Sequence, residues 1–179
     1  PILADDVLAR EVGARAFVNA ANLQRGGSFT VRGAANNTAH LGDEERKRGV
    51  IAHSAGNHAQ GVAFAARAYG VAATIVMPEN APLTKVVNTR ALGAEVVLSG
   101  ATFDEAGIKS RELQAARGLT LVHAFNDPLV IAGQGTLGLE IMMALPDVSV
   151  LVVPVGGGGL ISGIATAAKA MNPRIHIVG

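Results

Sequence analysis

The sequence predicts an α/β fold, with parallel strands covered by helices on both faces. Two observations carry this reading: short β-branched apolar runs alternate with longer alanine-rich segments of helical spacing, and glycines stand at the turns between them. The hydrophobic fraction of 49% supplies enough apolar surface for a buried core, and the mean hydropathy of +0.34 argues against a disordered chain.

The strand candidates, in order, are Val50–Ala52, Ala73–Met77, Glu95–Leu98, Leu119–Val122 and Val148–Val155. Between the first two, Val62, Ala65, Ala66 and Tyr69 fall at i, i+3, i+4 and i+7, the spacing of one helix face. Gly70 follows where a helix end favours a left-handed residue. Pro82 suits the first turn of a helix running through Lys85 to Leu92, and Gly93 closes it. A last apolar helix spans Leu160–Met171. Strands separated by helices are joined by right-handed crossovers, which makes the sheet parallel. No internal repeat and no low-complexity linker interrupts the pattern.

Charge and composition narrow the partners. With 15 Lys+Arg against 14 Asp+Glu, the net charge of +1 gives no electrostatic reason to expect nucleic acid or an anionic membrane surface. The absence of cysteine excludes disulfides, thiolate metal sites and a cysteine nucleophile. No run approaches the ~18 apolar residues of a membrane span, and Pro1 to Val7 does not read as a signal peptide. The expectation is a cytoplasmic protein with a small-molecule ligand.

Three constellations could carry chemistry. Val150–Val155 runs into Gly156, Gly157, Gly158 and Gly159 and then into the helix from Leu160, giving strand, glycine loop and helix. Successive glycine amides can turn toward one point, and the helix N-terminus adds partial positive charge, so the loop suits a phosphate; a simple turn would need only one or two glycines. The loop lacks the Lys-Ser/Thr ending of a P-loop and places Ser162 where a dinucleotide fingerprint wants its third glycine, so the identity of the phosphate ligand stays open.

The second constellation is the polar knot His53–Gly61 after the first buried strand, where Ser54 or Asn57 could also serve simply as a helix N-cap. His53 and His58, five apart with no neighbouring carboxylate, do not form a metal site, and none is expected. The third is Asn22–Ala34, in which a glycine turn precedes Ser28 as the expected N-cap of a helix.

Taken together, Asn22–Ala34, Ser54–Gly61, Ile75–Pro78, Gly93–Gly100, Ala132–Leu139 and Pro154–Gly163 resemble, in order, the signatures of the fold-type II pyridoxal-phosphate enzymes. The resemblance is to the serine/threonine dehydratase (threonine ammonia-lyase) and serine racemase branch, and covers nearly the whole chain. It implies a tryptophan synthase β-like architecture divided as residues 1–40 in a large domain, 41–145 in a small α/β domain, and 146–179 returning to the large domain. On this reading the small domain is complete and the large domain truncated.

By the same resemblance, Gly156, Gly157, Gly158, Gly159 and Leu160 would hold the phosphate of pyridoxal phosphate, Asn57 would meet its 3-hydroxyl, and Phe29 would pack against its ring. Ser54, Gly56 and His58 would line a pocket for the carboxylate of a small amino-acid substrate. Ala55 stands where racemases of this branch usually place a second serine, which favours dehydration, since alanine has no proton to exchange. The family pattern Asn-Leu-Gln-Arg-Thr-Gly-Ser-Phe-Lys places Thr30 at the position of the lysine that forms the resting imine and removes the Cα proton. A threonine hydroxyl forms no imine and is a weak base near neutral pH, so the chain is expected to hold the cofactor non-covalently at best and to be catalytically deficient.

Asn19, Ala21 and Gly26 also depart from the family pattern, and the remaining lysines, Lys47, Lys85, Lys109 and Lys169, read as solvated helix residues with no claim to the role. A truncated large domain would leave a strand edge and apolar helix faces uncovered, so a homo-oligomer, or a partner covering that edge, is expected. The alternative to an enzyme relative is a non-catalytic scaffold or assembly module that binds a phosphorylated small molecule.

Overall fold

The computed structural model describes residues 1–179. Its centre is a four-stranded parallel sheet ordered β5-β4-β3-β6, formed by β3 (Val50–His53), β4 (Ala73–Met77), β5 (Glu95–Leu98) and β6 (Thr120–Leu121). Register pairs Val50 with Ala73 and Thr120, and Ile75 with Val96. The expected strands at 73–77 and 95–98 are reproduced residue for residue, and that at 119–122 shortens by one residue at each end.

Strand alternation sorts the core into two layers. Val50, Ala52, Ile75 and Met77 face α4 (Asn57–Ala68) and α5 (Leu83–Ala91) in a cluster with Ala59, Val62, Ala66 and Val86. Ile51 and Val76 point the other way, to Ala106 of α6 (Phe103–Arg117) and Leu119. Helices therefore cover both faces. Gly70 and Gly93 have φ of +67° and +93°, the left-handed ends anticipated after α4 and α5.

A second cluster joins α7 (Pro128–Ala144) and α8 (Gly159–Met171) to a two-stranded parallel sheet of β7 (Val150–Val152) and β8 (His176–Val178), through Leu137, Leu151, Val153, Leu160, Ile164 and Ile175. The expected strand at 148–155 contracts to three residues because Pro154, which has no N–H to donate, leads the chain out into the glycine loop. Asp127 caps α7 by accepting the Val130 amide at 2.9 Å, with Pro128 in the first turn. Val150, Val152, Val155 and Val178 stay exposed around this small sheet, Val152 at 78%.

One element departs from the all-parallel expectation. β1 (Ile2–Ala4) and β2 (Phe17–Asn19) pair antiparallel, flanking α1 (Asp6–Val12), whose side chains are all outside the core. The remaining α-helices are α2 (Thr30–Ala39) and α3 (Asp43–Arg48); α2 packs between α4 and α7. Arg32 fixes it there, with its guanidinium forked onto Glu140 of α7 at 2.6 and 2.7 Å and its Nε donating to Gln24 at 2.9 Å. The Arg32 hydrogen bonds to Glu140 hold that carboxyl below the usual carboxylate range. No helix is long and apolar enough to cross a membrane.

Candidate active site

The carboxyl ends of β3, β4, β6 and β7 and the N-terminus of α2 bring the three constellations to one side of the molecule, as ligand sites in α/β sheets require. After β3, Ser54 turns the chain: its backbone N–H donates to Val76 O at 3.1 Å and its Oγ accepts the Gly56 amide at 3.1 Å. Ser54 therefore organises the turn, while Gly56 is the N-cap residue and Asn57 opens α4, which has no side-chain cap. The amides of Asn57 and His58 have no backbone acceptor. A helix start left open in this way offers N–H donors and a positive dipole end to an anion.

The glycine loop repeats the arrangement. Gly158 is left-handed at φ +87°, α8 begins at Gly159 without a side-chain cap, and the amides of Gly159, Leu160 and Ile161 have no backbone acceptor. The Leu160 side chain is buried in the second cluster, so only its amide is offered to a ligand. Gly156 and Gly157 are exposed. Two open helix starts, one after β3 and one after β7, each present unpaired backbone N–H groups of the kind that bind anions.

The segment after β6 ties these loops together, and sequence reasoning missed it. A Cβ on Gly157 would overlap the Phe125 ring, and one on Gly159 would come within 2.9 Å of Phe125 Cα, so both glycines are required by the aromatic residue packed on the loop. Phe125 and Asn126 donate their amides to His123 Nδ1 at 3.2 and 2.9 Å. His58 reaches the same segment, with Nε2 2.9 Å from the Val122 carbonyl. Only a protonated Nε2 can donate there, so His58 is the Nε2–H tautomer, and its buried Nδ1 is left without a partner.

The His58 side chain is only 6% exposed and clamps two loops, while its amide has no backbone acceptor. Burial pushes its pKa below the ordinary 6.5, partly opposed by the Val122 hydrogen bond; His53 is lowered as well, first by burial and then by His123. In this situation the unfolded chain takes up protons below 6.5 while the folded chain resists, so stability falls as pH drops through that value and levels off below the folded pKa values. Urea midpoints are expected to decline from pH 7 to pH 5, with a shallower decline in His58→Gln; a midpoint that rises over this interval contradicts the assignment.

At the third constellation Thr30 is the first residue of α2, and Ser28 Oγ accepts its amide at 3.3 Å, close to the capping role expected for Ser28. Thr30 Oγ1 donates to the Asn57 carbonyl at 3.1 Å and lies beside Gly61, where a Cβ would sit 3.2 Å from that oxygen. Residue 30 and Asn57 are therefore in direct contact. Phe29 packs against the cluster containing Leu160 and Ile164.

The lysines divide differently from the sequence reading. Lys47, Lys109 and Lys169 lie away from the site, whereas half-buried Lys85 donates to Asn57 Oδ1 at 3.1 Å, which corrects the expectation that all four are solvated helix residues. His53 stacks on Phe103 at 4.8 Å between ring centroids, so the two histidines of the knot serve separate packing roles. A hollow of about 360 Å³ lies elsewhere, lined by Ser99, Gly100, Glu105, Ile108, Lys109 and Glu112. It is open to solvent and contains none of the candidate site residues.

The model of the family described as pyridoxal-phosphate dependent enzyme matches residues 1–179. The chain belongs to the pyridoxal-phosphate-dependent enzyme family. It is 59% identical over 173 residues to the L-threonine ammonia-lyase of Thermotoga maritima, covering 97% of this chain and 43% of that protein. It is 53% identical over 163 residues to a catabolic L-threonine dehydratase of Staphylococcus aureus, covering 91% of this chain and 47% of that protein.

Among solved structures, maize serine racemase superposes with a TM-score of 0.96 at 41% identity, covering 99% of this chain and 54% of that one. The processed form of threonine deaminase isoform 2 from Solanum lycopersicum also gives a TM-score of 0.96, at 45% identity, covering 99% of this chain and 49% of that one. The α/β architecture and the dehydratase–racemase neighbourhood expected from the motifs are therefore those of this pyridoxal-phosphate family. The chain spans about half the length of the curated relatives it matches.

Proposed function

We propose that this chain is a pyridoxal-phosphate-binding relative of the serine/threonine ammonia-lyases that keeps the phosphate cradle and the Asn57 knot but carries out β-elimination poorly. The observation that carries the reading is the pair of open helix starts, α8 behind four glycines and α4 behind Gly56, with threonine in contact with Asn57 at position 30.

The residues present fit the cofactor. The amides of Gly159, Leu160 and Ile161 receive a phosphate without an opposing carboxylate in the loop, and Asn57 presents its amide group at the opening of α4. When bound, pyridoxal phosphate supplies an electron-withdrawing ring that stabilises negative charge at the substrate Cα. The α4 amides and the turn held by Ser54 bind and orient a small amino acid by its carboxylate. Phe125 and Phe29 cover the loop with apolar surface.

What is missing is a group to take the Cα proton at position 30. The Thr30 hydroxyl is committed as a donor to the Asn57 carbonyl and has no neighbouring base to activate it. Removing a positioned general base costs typically about 10²–10⁴-fold in rate. The purified chain, saturated with pyridoxal phosphate and given L-threonine or L-serine, is expected to form ketoacid no faster than free cofactor does. Turnover of tens per second, within the ordinary enzyme range of about 1–10³ per second, would overturn the reading.

A further inference from the structure

The four lysines have different surroundings. Lys47 pairs with Glu44 at 2.7 Å and Lys109 with Glu112 at 3.0 Å, each one turn along its own helix, and Lys169 donates to the Pro173 carbonyl at 3.1 Å beyond the end of α8. Lys85 alone reaches across the fold, from α5 to Asn57 Oδ1 at 3.1 Å, over 28 positions of sequence, and it has no carboxylate partner within ion-pair distance.

Its place in α5 is also unusual. Lys85 is the third residue of that helix, and no acid occupies the first turn. A cation there opposes the helix dipole, so local helix energetics give no reason for lysine at this position. Asn57 is also touched by Thr30, whose hydroxyl donates to its backbone carbonyl at 3.1 Å. The amine of Lys85 and the side chain at position 30 therefore arrive at one residue from two different helices.

We propose that Lys85 is the amine that captures the aldehyde of pyridoxal phosphate in this chain, in place of a lysine at position 30. The inference rests on the reading above that the chain binds this cofactor with Asn57 at its 3-hydroxyl. In the cofactor, the ring carbon bearing the aldehyde is bonded to the one bearing that hydroxyl, so an amine held on Asn57 would be within side-chain reach of the aldehyde of a cofactor whose hydroxyl meets Asn57. The unprotonated amine adds to the carbonyl carbon, the oxygen leaves as water after proton transfer, and a C=N bond remains. Nothing is oxidised or reduced. The linkage holds the cofactor; it does not by itself provide the proton transfer lost at position 30, which keeps it compatible with poor turnover.

The test is to equilibrate the chain with pyridoxal phosphate, record near-ultraviolet dichroism, reduce with borohydride, and map the phosphopyridoxyl group by peptide mass. The expected result is saturable dichroism with one reduced group per chain on the peptide containing Lys85. In Lys85→Arg the label is expected to fall to that of an unreduced control while saturable dichroism persists, since arginine can still donate to Asn57. Saturable dichroism without label at Lys85, label spread over all four lysines, or unchanged labelling in Lys85→Arg would overturn the inference and leave cofactor binding standing. Absence of saturable dichroism would overturn both.

Discussion

Replacing Thr30 by lysine is expected to raise ketoacid formation from L-threonine by roughly 10²–10⁴-fold over the unsubstituted chain, the usual worth of a positioned proton-transfer group. The expectation comes from where the side chain points. Thr30 opens α2, its Oγ1 is 3.1 Å from the Asn57 carbonyl and 3.3 Å from Ser28 Oγ, and the residue is half-buried. A lysine stem following the same direction passes Asn57 at the opening of α4. Gly61, which has no side chain, is the residue that lies against position 30.

The loss of the threonine hydrogen bonds costs about 1 kcal/mol each, too little to unfold a domain of this size. After borohydride reduction the phosphopyridoxyl group is expected on residue 30. A folded Thr30→Lys, Lys85→Arg chain that binds the cofactor yet carries no label at residue 30 would show that position 30 does not face the site.

The second large effect is structural. Gly163→Ala is expected to destabilise the chain by about 1–3 kcal/mol in urea denaturation, even though alanine is intrinsically the better helix residue by about 1 kcal/mol. Gly163 of α8 lies where that helix crosses α7: an added Cβ would overlap the Ile131 carbonyl and stand 2.6 Å from the Gly135 amide nitrogen. Both are backbone atoms that cannot rotate away. A Cβ on Gly135 would in turn stand 2.9 Å from Gly163 O, and one on Gly138 3.0 Å from Ile164 O, so the close approach is shared along the helix pair. Separating the helices would also move the glycine loop, because α8 begins in it. Gly156→Ala is the control: nothing lies within 4 Å of its added Cβ, and its stability is expected to stay unchanged. Equal stability of the two variants would contradict the close crossing.

The sequence made the central sheet readable because its strands are short, the middle two are buried, and all are bounded by helices of clear period. Val50–His53 and Ala73–Met77 are buried almost throughout, so β-branched runs and glycine stops coincide with structure. The antiparallel β1–β2 pair has only three residues in each strand and is largely exposed, leaving no alternation to detect.

At the site, the glycine loop and the Asn57 knot were legible because each lies directly between a strand and a helix. The roles of Lys85 and Phe125 were not, since both depend on contacts made across the fold, from α5 to α4 and from the β6 loop to the β7 loop. A signal did exist for His58: it stands four residues before Val62 on the apolar face of α4, which places its ring inward rather than toward a ligand.

The most direct measurement is a parallel titration of the chain with pyridoxal phosphate and with pyridoxal, followed by near-ultraviolet circular dichroism. If the glycine loop and the α8 start cradle a phosphate, the phosphorylated compound gives a saturable signal and pyridoxal a far weaker one. Equal signals from the two compounds, or none from either, would contradict the account.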